Sequence, residues 1–435
     1  MATVTEQRAG LAEAVARTRA ETMGLVSTLE PDDMVVQTAP YTSPPKWHAG
    51  HVSWVFEMVI RKADASYSPT PMAGSPYLNS YYLGAGSPHP KGERGAVSRP
   101  TAAELLEYHG EVTRRLGPIL REARAGGEAG RLLEMAMHHE CQHQELMVYD
   151  LQHMLASRYE PPSRAAPPEP SPRARPRSVR VRGGRATVGH GGGGYAYDIE
   201  MPAHDVLLAD YEIDVFPVTC GQYAEFVGDG GYTDYRHWLS DGWDAVREGR
   251  WEAPMYWERD GSSWAVHDMA GRRPIVDDEP VRCVSYYEAD AYCRWAGRRL
   301  PTEFEWEAAA RGGGGGGGGR PAAFPWGDEP PDASRANLLE SRLWAPARVG
   351  SYPGGASACG CEQMIGDVWE WTSSEFAPYP GFESGFDEYN DKWFGGQKVL
   401  RGGSSATPAA SIRATYRNFF RPHERWMFAG FRCAR

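Results

Sequence analysis

Apolar positions in the first third of the chain recur at helical spacing. Leu11, Val15, Thr18, Thr22, Leu25 and Leu29 step by four and three, as one face of a helix does. A second helix is predicted from about residue 47 to 63, with Val52, Val55, Phe56 and Val59 along an amphipathic stretch. Thr101-Ala102-Ala103-Glu104, directly after Pro100, reads as a capping box that feeds Leu105, Leu106, Val112, Leu116 and Ile119. A fourth segment runs from about 130 to 155. Four long helices within residues 5–157 predict a bundle. The pattern then lapses. Residues 159–178 are rich in Pro, Ser and Arg, almost without apolar side chains, and read as an extended linker. From Val179 the chain changes to short strands, many glycines and tryptophans that read as buried, the texture of an α+β domain. Gly312–Gly319 is an unbroken glycine tract and reads as a flexible surface loop. The expected organisation is a helical domain over 1–158, a linker over 159–178 and a second domain over 179–435, with no internal repeat.

A length of 435 residues gives each domain enough chain for its own core. Fifteen Trp and fifty Gly favour an irregular, aromatic-packed second half over helices throughout. The formal charge of −11 and the lack of a Lys/Arg block argue against nucleic-acid binding. No run approaches the roughly 18 apolar residues a membrane span needs, and Met1–Gly10 lacks an apolar signal core, so a cytoplasmic protein without a membrane partner is expected. The seven cysteines are odd in number and scattered, which is not a disulfide framework. Cys359 and Cys361 stand two apart without a matching pair, which argues against zinc, and all seven read as ordinary thiols.

The fourth helix changes the picture. It carries His138-His139-Glu140-Cys141-Gln142-His143-Gln144-Glu145, in which His139 and His143 leave one helix face a turn apart. That spacing suits two ligands of one metal ion, although isolated pairs of this kind also occur as solvated side chains. On the second helix, Trp47-His48-Ala49-Gly50-His51 offers His51 or His48 as a third ligand, since bundles build metal sites from facing helices. Imidazoles alone do not name the metal; Zn, Fe, Cu and Ni all accept them. Glu145 lies about 200° around the helix from His143 and is expected to brace the helix or a ligand instead. His138 and His153 are expected to be structural or solvated.

At this point the residues resemble a known family. Pro44–His51, the His139–Glu145 run and Asn79-Ser80-Tyr81-Tyr82 look like the DinB-type helical domain of the ergothioneine-pathway sulfoxide synthases. Leu300–Glu307, Gly366–Trp371, Val399–Ser404 and the closing Gly430-Phe431-Arg432 are similar to the formylglycine-generating-enzyme (sulfatase-modifying-factor) domain. The resemblance covers nearly the whole chain. It implies an α+β protein: an N-terminal DinB-like four-helix bundle followed by a C-type-lectin-like α+β domain. It also implies an Fe(II) site at the domain interface, with His51 preferred over His48 as the partner of His139 and His143. The implied reaction joins a thiol donor to the imidazole C2 of hercynine with O2, leaving a sulfoxide. Tyr81 and Tyr82 match the paired tyrosines of the cysteine-using branch and are the candidate proton donors. Gln142 is expected to reach the hercynine ring. Tyr389, Asn418, Phe419 and Phe420 match positions walling the substrate pocket, where aromatic faces suit a trimethylammonium group; core packing is the competing role for the two phenylalanines. Arg94 is a candidate for the donor's carboxylate.

The chain departs from the γ-glutamylcysteine-using branch, in which a tyrosine of the second domain donates the proton and an acid–base pair holds the donor. The matching positions here are Phe386, Phe420 and Glu424. Cysteine is the expected donor. The related selenoneine synthases, which use a selenosugar, are the alternative, because Asp387–Phe394 departs from the cysteine-branch pattern. Three other readings compete: a lectin-like binding module without catalysis, a zinc thiol transferase on the DinB-type bundle, and a copper-dependent formylglycine-generating oxidase. The last needs a cysteine pair near the C-terminus, where Ser404 and Cys433 do not make one.

Overall fold

The computed structural model describes residues 4–123, 127–155, 158–171, 176–269, 271–312, 321–385 and 389–435. Within these, the chain forms two compact units, 1–163 and 164–435.

The first unit is four long helices: α1 (Val4–Val26), α2 (Pro45–Ala63), α3 (Ala102–Glu122) and α4 (Glu128–Met154). Each periodic segment of the sequence is one of them. The capping box at α3 is made: Glu104 N–H donates to Thr101 Oγ1 at 3.2 Å, and Thr101 N–H to Glu104 Oε2 at 2.7 Å. The buried stripe of α3 is Leu105, Tyr108, His109, Val112, Leu116 and Leu120, so Leu106 and Ile119 flank it half-buried instead of leading it. Helix α2 packs along α3 and α4, and nearly all of its face is buried. Gly50 permits that approach, because a Cβ there would lie 2.8 Å from methyl groups of Leu105 and Leu78. No helix among the described residues is long and apolar enough to cross a membrane.

The proline-rich stretch is tied down at several points. Tyr159 is buried, and its hydroxyl donates to Leu25 O at 2.9 Å. Further on, Ala165 N–H donates to Arg342 O and Ser171 N–H to Gly350 O, at 3.0 and 2.9 Å. Hydrogen bonding thus holds the described part of a segment in which Tyr159 is buried and most other side chains are exposed.

The second unit is the expected α+β domain. Its elements are β1 (Ser178–Val181), β2 (Gly184–Val188), β3 (His204–Leu208), β4 (Tyr211–Asp214), α5 (Cys220–Gly228), α6 (Ser240–Gly249), β5 (Trp257–Asp260), β6 (Ser263–Asp268), β7 (Gly271–Pro274), α7 (Tyr286–Trp295), α8 (Glu303–Arg311), β8 (Trp369–Glu375), β9 (Lys398–Arg401), β10 (Asn418–Phe420) and β11 (Ala429–Gly430). The largest sheet has the order β10-β9-β8-β11, antiparallel except for the parallel β8–β11 pair. Short antiparallel ladders β1–β4, β2–β3 and β5–β6–β7 surround it. Trp306, Trp344, Trp369 and Trp371 are fully buried here. Buried ion pairs lace the same core. Glu303 takes Arg417 Nε at 2.8 Å and Arg401 Nη1 at 3.2 Å, while Glu370 takes Arg432 Nε at 2.6 Å and Trp306 Nε1 at 2.8 Å. Gly402, at φ +98, is the one residue type that fits its turn, since a Cβ would sit 2.5 Å from Met364 O. The tract at Gly313–Gly319 and the residues Phe386, Asp387 and Glu388 lie outside the described residues.

Candidate metal centre

Helices α2 and α4 bring three imidazoles together. The ligand atoms of His51, His139 and His143 all lie within 4.8 Å of one another, and all three residues are buried. Ring centroids are 5.1 Å apart for His51–His139, 4.8 Å for His51–His143 and 4.5 Å for His139–His143. Pro45 in the first turn of α2 starts the helix that aims His51, and the four-residue spacing on α4 stacks the other two on one face.

Hydrogen bonds at the far nitrogens orient two of the rings. Nδ1 of His51 lies 2.6 Å from the carbonyl of Leu78, which can only accept, so this nitrogen carries the proton. Nε2 is then left with a lone pair, buried and without a hydrogen-bond partner among the described residues. Nδ1 of His143 lies 2.9 Å from Nδ1 of His48, whose Nε2 is 3.0 Å from Asp150 Oδ2. The Asp150 carboxylate accepts from His48, His48 accepts from His143, and the lone pair of His143 is directed to Nε2. Asp150 Oδ2 also accepts from Ser43 N–H at 2.9 Å, at the start of α2. His48 is therefore a brace for His143, not a member of the triad.

Burial keeps the triad neutral. It pushes His51 and His143 well below the usual imidazole range, with the adjacent histidines adding to the effect. His139 is pushed down to about 3 by burial, against the pull of Glu140. Neutral imidazoles, two of them with lone pairs turned inward and one of these without a proton donor among the described residues, fit a divalent transition ion. The neighbouring carboxylates are otherwise engaged. Glu140 accepts from Arg19 Nη1 at 3.1 Å and Thr22 Oγ1 at 2.6 Å, and Glu145 accepts from the Tyr149 hydroxyl. His138 is buried, and His153 lies 3.4 Å from the Tyr41 hydroxyl.

An aromatic and cationic wall stands next to the triad. Trp47 stacks on His51, with centroids 4.4 Å apart and planes within 13°. The buried Arg94 guanidinium lies 3.2 Å from the Trp47 ring centroid and 5.2 Å from that of Tyr81. It donates to Ser43 Oγ at 2.6 Å and Ser80 Oγ at 3.2 Å. The Tyr81 ring is 6.2 Å from His51, whereas the Tyr82 ring packs on Trp54 at 5.8 Å. Burial would raise the Tyr81 phenol, but Arg94 and Lys91 outweigh it and hold the group below its ordinary value. Asn79 Oδ1 shapes this turn by accepting from the N–H groups of Tyr81 and Tyr82 at 3.2 and 3.0 Å. Gln142, beside His143, is half-buried.

In the second unit the predicted pocket residues are distributed. Tyr389 stacks on Tyr197 at 5.9 Å. Phe419 lies face to face with Phe376 at 4.0 Å, and Phe420 packs edge-on against Trp426 at 5.3 Å. Asn418 Oδ1 accepts from Phe419 N–H at 2.9 Å. Glu424 Oε2 accepts from Arg421 N–H at 2.9 Å, a local turn contact. The stacking of Trp47 on His51 and the bracing of His143 by His48 and Asp150 are the features of this site that sequence reasoning missed. Asp150 could have been found, since it stands seven residues after His143 and so two turns along the same face.

This architecture is matched by known families. Residues 14–147 match the DinB superfamily, and residues 164–435 match the sulfatase-modifying factor enzyme 1-like domain. The chain is thus a DinB-type bundle carrying a histidine triad, followed by a sulfatase-modifying-factor-type α+β unit. The hercynine oxygenase of Mycolicibacterium smegmatis is 34% identical over 98% of this chain and 99% of its own length. That full-length agreement, in both units and in their order, places the chain in the hercynine oxygenase family. The Mycobacterium tuberculosis hercynine oxygenase is 45% identical, over 54% of this chain and 55% of that protein, so this match spans about half of each. The formylglycine-generating enzyme of Streptomyces coelicolor is 35% identical over 63% of this chain and 95% of that one.

Proposed function

We propose that this protein is an Fe(II)-dependent hercynine sulfoxide synthase that uses cysteine as donor. In the overall reaction the C2–H bond of hercynine and the S–H bond of the thiol are lost and a C2–S bond forms. One oxygen atom of O2 ends on sulfur, and the other leaves as water with the two hydrogens. The observation that carries this reading is the buried, neutral triad of His51, His139 and His143, with its hydrogen-bonded nitrogens turned outward. Fe(II) held there would supply vacant positions at which thiol, imidazole and O2 meet, a gain of proximity and orientation.

The chain's own residues then have distinct tasks. Leu78 O and the Asp150–His48 pair fix the ligand rings. Trp47 and Trp54 wall off water on the His51 side. The Arg94 cation suits the donor's carboxylate, and Gln142 the hercynine ring. Tyr81 is the proposed proton source for oxygen reduction, because Arg94 helps hold its phenol below the ordinary value and its ring stands 6.2 Å from that of His51. Tyr389 and Asn418–Phe420 are the proposed hercynine-side contacts of the second unit, where aromatic faces would hold the trimethylammonium group.

The test is O2 uptake by anaerobically Fe(II)-loaded protein given hercynine, with cysteine, γ-glutamylcysteine and a selenosugar offered separately and products weighed by mass spectrometry. Uptake coupled to a hercynine–cysteine sulfoxide is the expected result. A selenium adduct alone would replace the donor, and no uptake with bound iron would overturn the reading. Tyr81→Phe should shift product from sulfoxide towards oxidised cysteine; an unchanged product ratio would remove Tyr81 from the proton step.

A further inference from the structure

The second unit holds two thiols for which the proposed reaction has no use. Cys359 and Cys361 flank Gly360 in a tight turn. Ser357 N–H donates to Cys361 O and Gly360 N–H to Ser357 O, both at 2.8 Å, and Gly360 takes a φ of +88. The turn sets the two sulfurs 3.6 Å apart. Ser357 Oγ accepts from Cys361 N–H at 3.2 Å, so its own hydrogen is available to Cys359 Sγ, also 3.2 Å away. Cys359 Sγ lies 3.2 Å from Ala309 O as well, an acceptor for the thiol proton. Immediately downstream, Arg432 Nη2 donates to the carbonyls of Glu362 and Gln363 at 3.0 and 3.3 Å, which fixes the backbone that follows the turn. Cys359 is partly exposed and Cys361 is buried. That is the division of labour between an attacking and a resolving thiol. The hydrogen bond between the two sulfurs, with help from Ser357, brings the Cys359 thiol down to about 6 against the effect of burial, and the same contact pushes Cys361 up.

We propose that Cys359-Gly360-Cys361 is a thiol–disulfide exchange site whose substrates are disulfides of small thiols. The Cys359 thiolate attacks one sulfur of the disulfide RSSR, forming a Cys359–SR mixed disulfide and expelling RS⁻. Cys361 passes its proton to that thiolate, giving RSH, and attacks the Cys359 sulfur. The second RS⁻ leaves and takes up the proton that Cys359 had lost. Two cysteine thiols are oxidised to one disulfide, and one RSSR is reduced to two RSH. Closure requires the sulfurs to approach to about 2.05 Å, and a ring spanning a single residue is strained, so the bond reopens readily. The site is independent of the proposed oxygenase chemistry, and its test needs neither iron nor hercynine.

Fully reduced protein would be equilibrated in glutathione buffers of rising oxidised fraction, quenched in acid, alkylated and digested with trypsin. Both cysteines fall in the single peptide Val349–Lys392. The expected result is a peptide that loses two hydrogen atoms and its alkyl labels together as the buffer becomes oxidising. Cys361→Ser should instead trap glutathione on Cys359. A wild-type peptide that remains doubly alkylated at the most oxidising ratio would overturn the proposal, and so would a Cys361→Ser protein without glutathione at Cys359.

Discussion

The two units bury polar groups in opposite ways. In the second unit, Glu303, Glu307 and Glu370 are joined to Arg401, Arg417 and Arg432 in buried ion pairs. In the helical unit, burial holds His51, His139 and His143 neutral; the outer nitrogens of His51 and His143 are hydrogen-bonded, and one ring nitrogen from each of the three histidines converges on the others. A network that is internally satisfied is a scaffold; a cluster satisfied on one side only is a receptacle. Buried polar groups are costly unless partnered, so the triad's inward lone pairs are the more informative of the two.

The largest effect expected from breaking this contrast is at the triad. His139→Ala and His143→Ala should each abolish iron binding, read as iron per chain after anaerobic loading, and full occupancy in either variant would defeat the assignment. The scaffold should respond in stability instead. Glu370→Leu leaves Arg432 and the Trp306 N–H buried without their acceptor, at a cost of about 3–5 kcal/mol in denaturant unfolding, with iron uptake by the helical unit unchanged.

Glu140 sharpens the comparison, because it is scaffold chemistry inside the helical unit. Burial works against its charge, but Arg19, His109 and Thr22 hold its carboxyl down at about 2. A depressed carboxyl contributes stability above its unfolded value of 4.5 and loses it as pH falls through about 2. The loss should amount to roughly 3 kcal/mol across that window, and Glu140→Gln should flatten the unfolding profile there. The smallest effect should come from the brace. Asp150→Ala frees His48 and so the His143 ring, weakening metal affinity by about 10–100-fold without abolishing it. Competition with a chelator would measure this, and unaltered affinity would mean that the ring is held by packing alone.

Much of this was legible in the residues. The four helices followed from period and capping, and the His139/His143 pair from one turn of α4. The choice between His48 and His51 did not follow from spacing, since both lie on α2 within a turn. It was decided by Leu78 O and Asp150, groups brought in by other parts of the chain. Phe419 and Phe420 show the same limit: adjacent strand residues point to opposite sides, which the sequence implies, but Phe376 and Trp426 as their partners come from tertiary packing. Cys359 and Cys361 looked ordinary because a two-residue spacing says nothing about the turn that aims both sulfurs together.

The uniform chemistry of the triad has a consequence for supply. Three neutral nitrogen donors rank the divalent metals in the Irving–Williams order, in which Fe(II) stands below Co(II), Ni(II) and Cu(II). Nothing in the donor set reverses that order. Which ion would settle between α2 and α4 would therefore be decided by what the surroundings make available when the helices close, and iron's place there would be a matter of cellular economy more than of affinity.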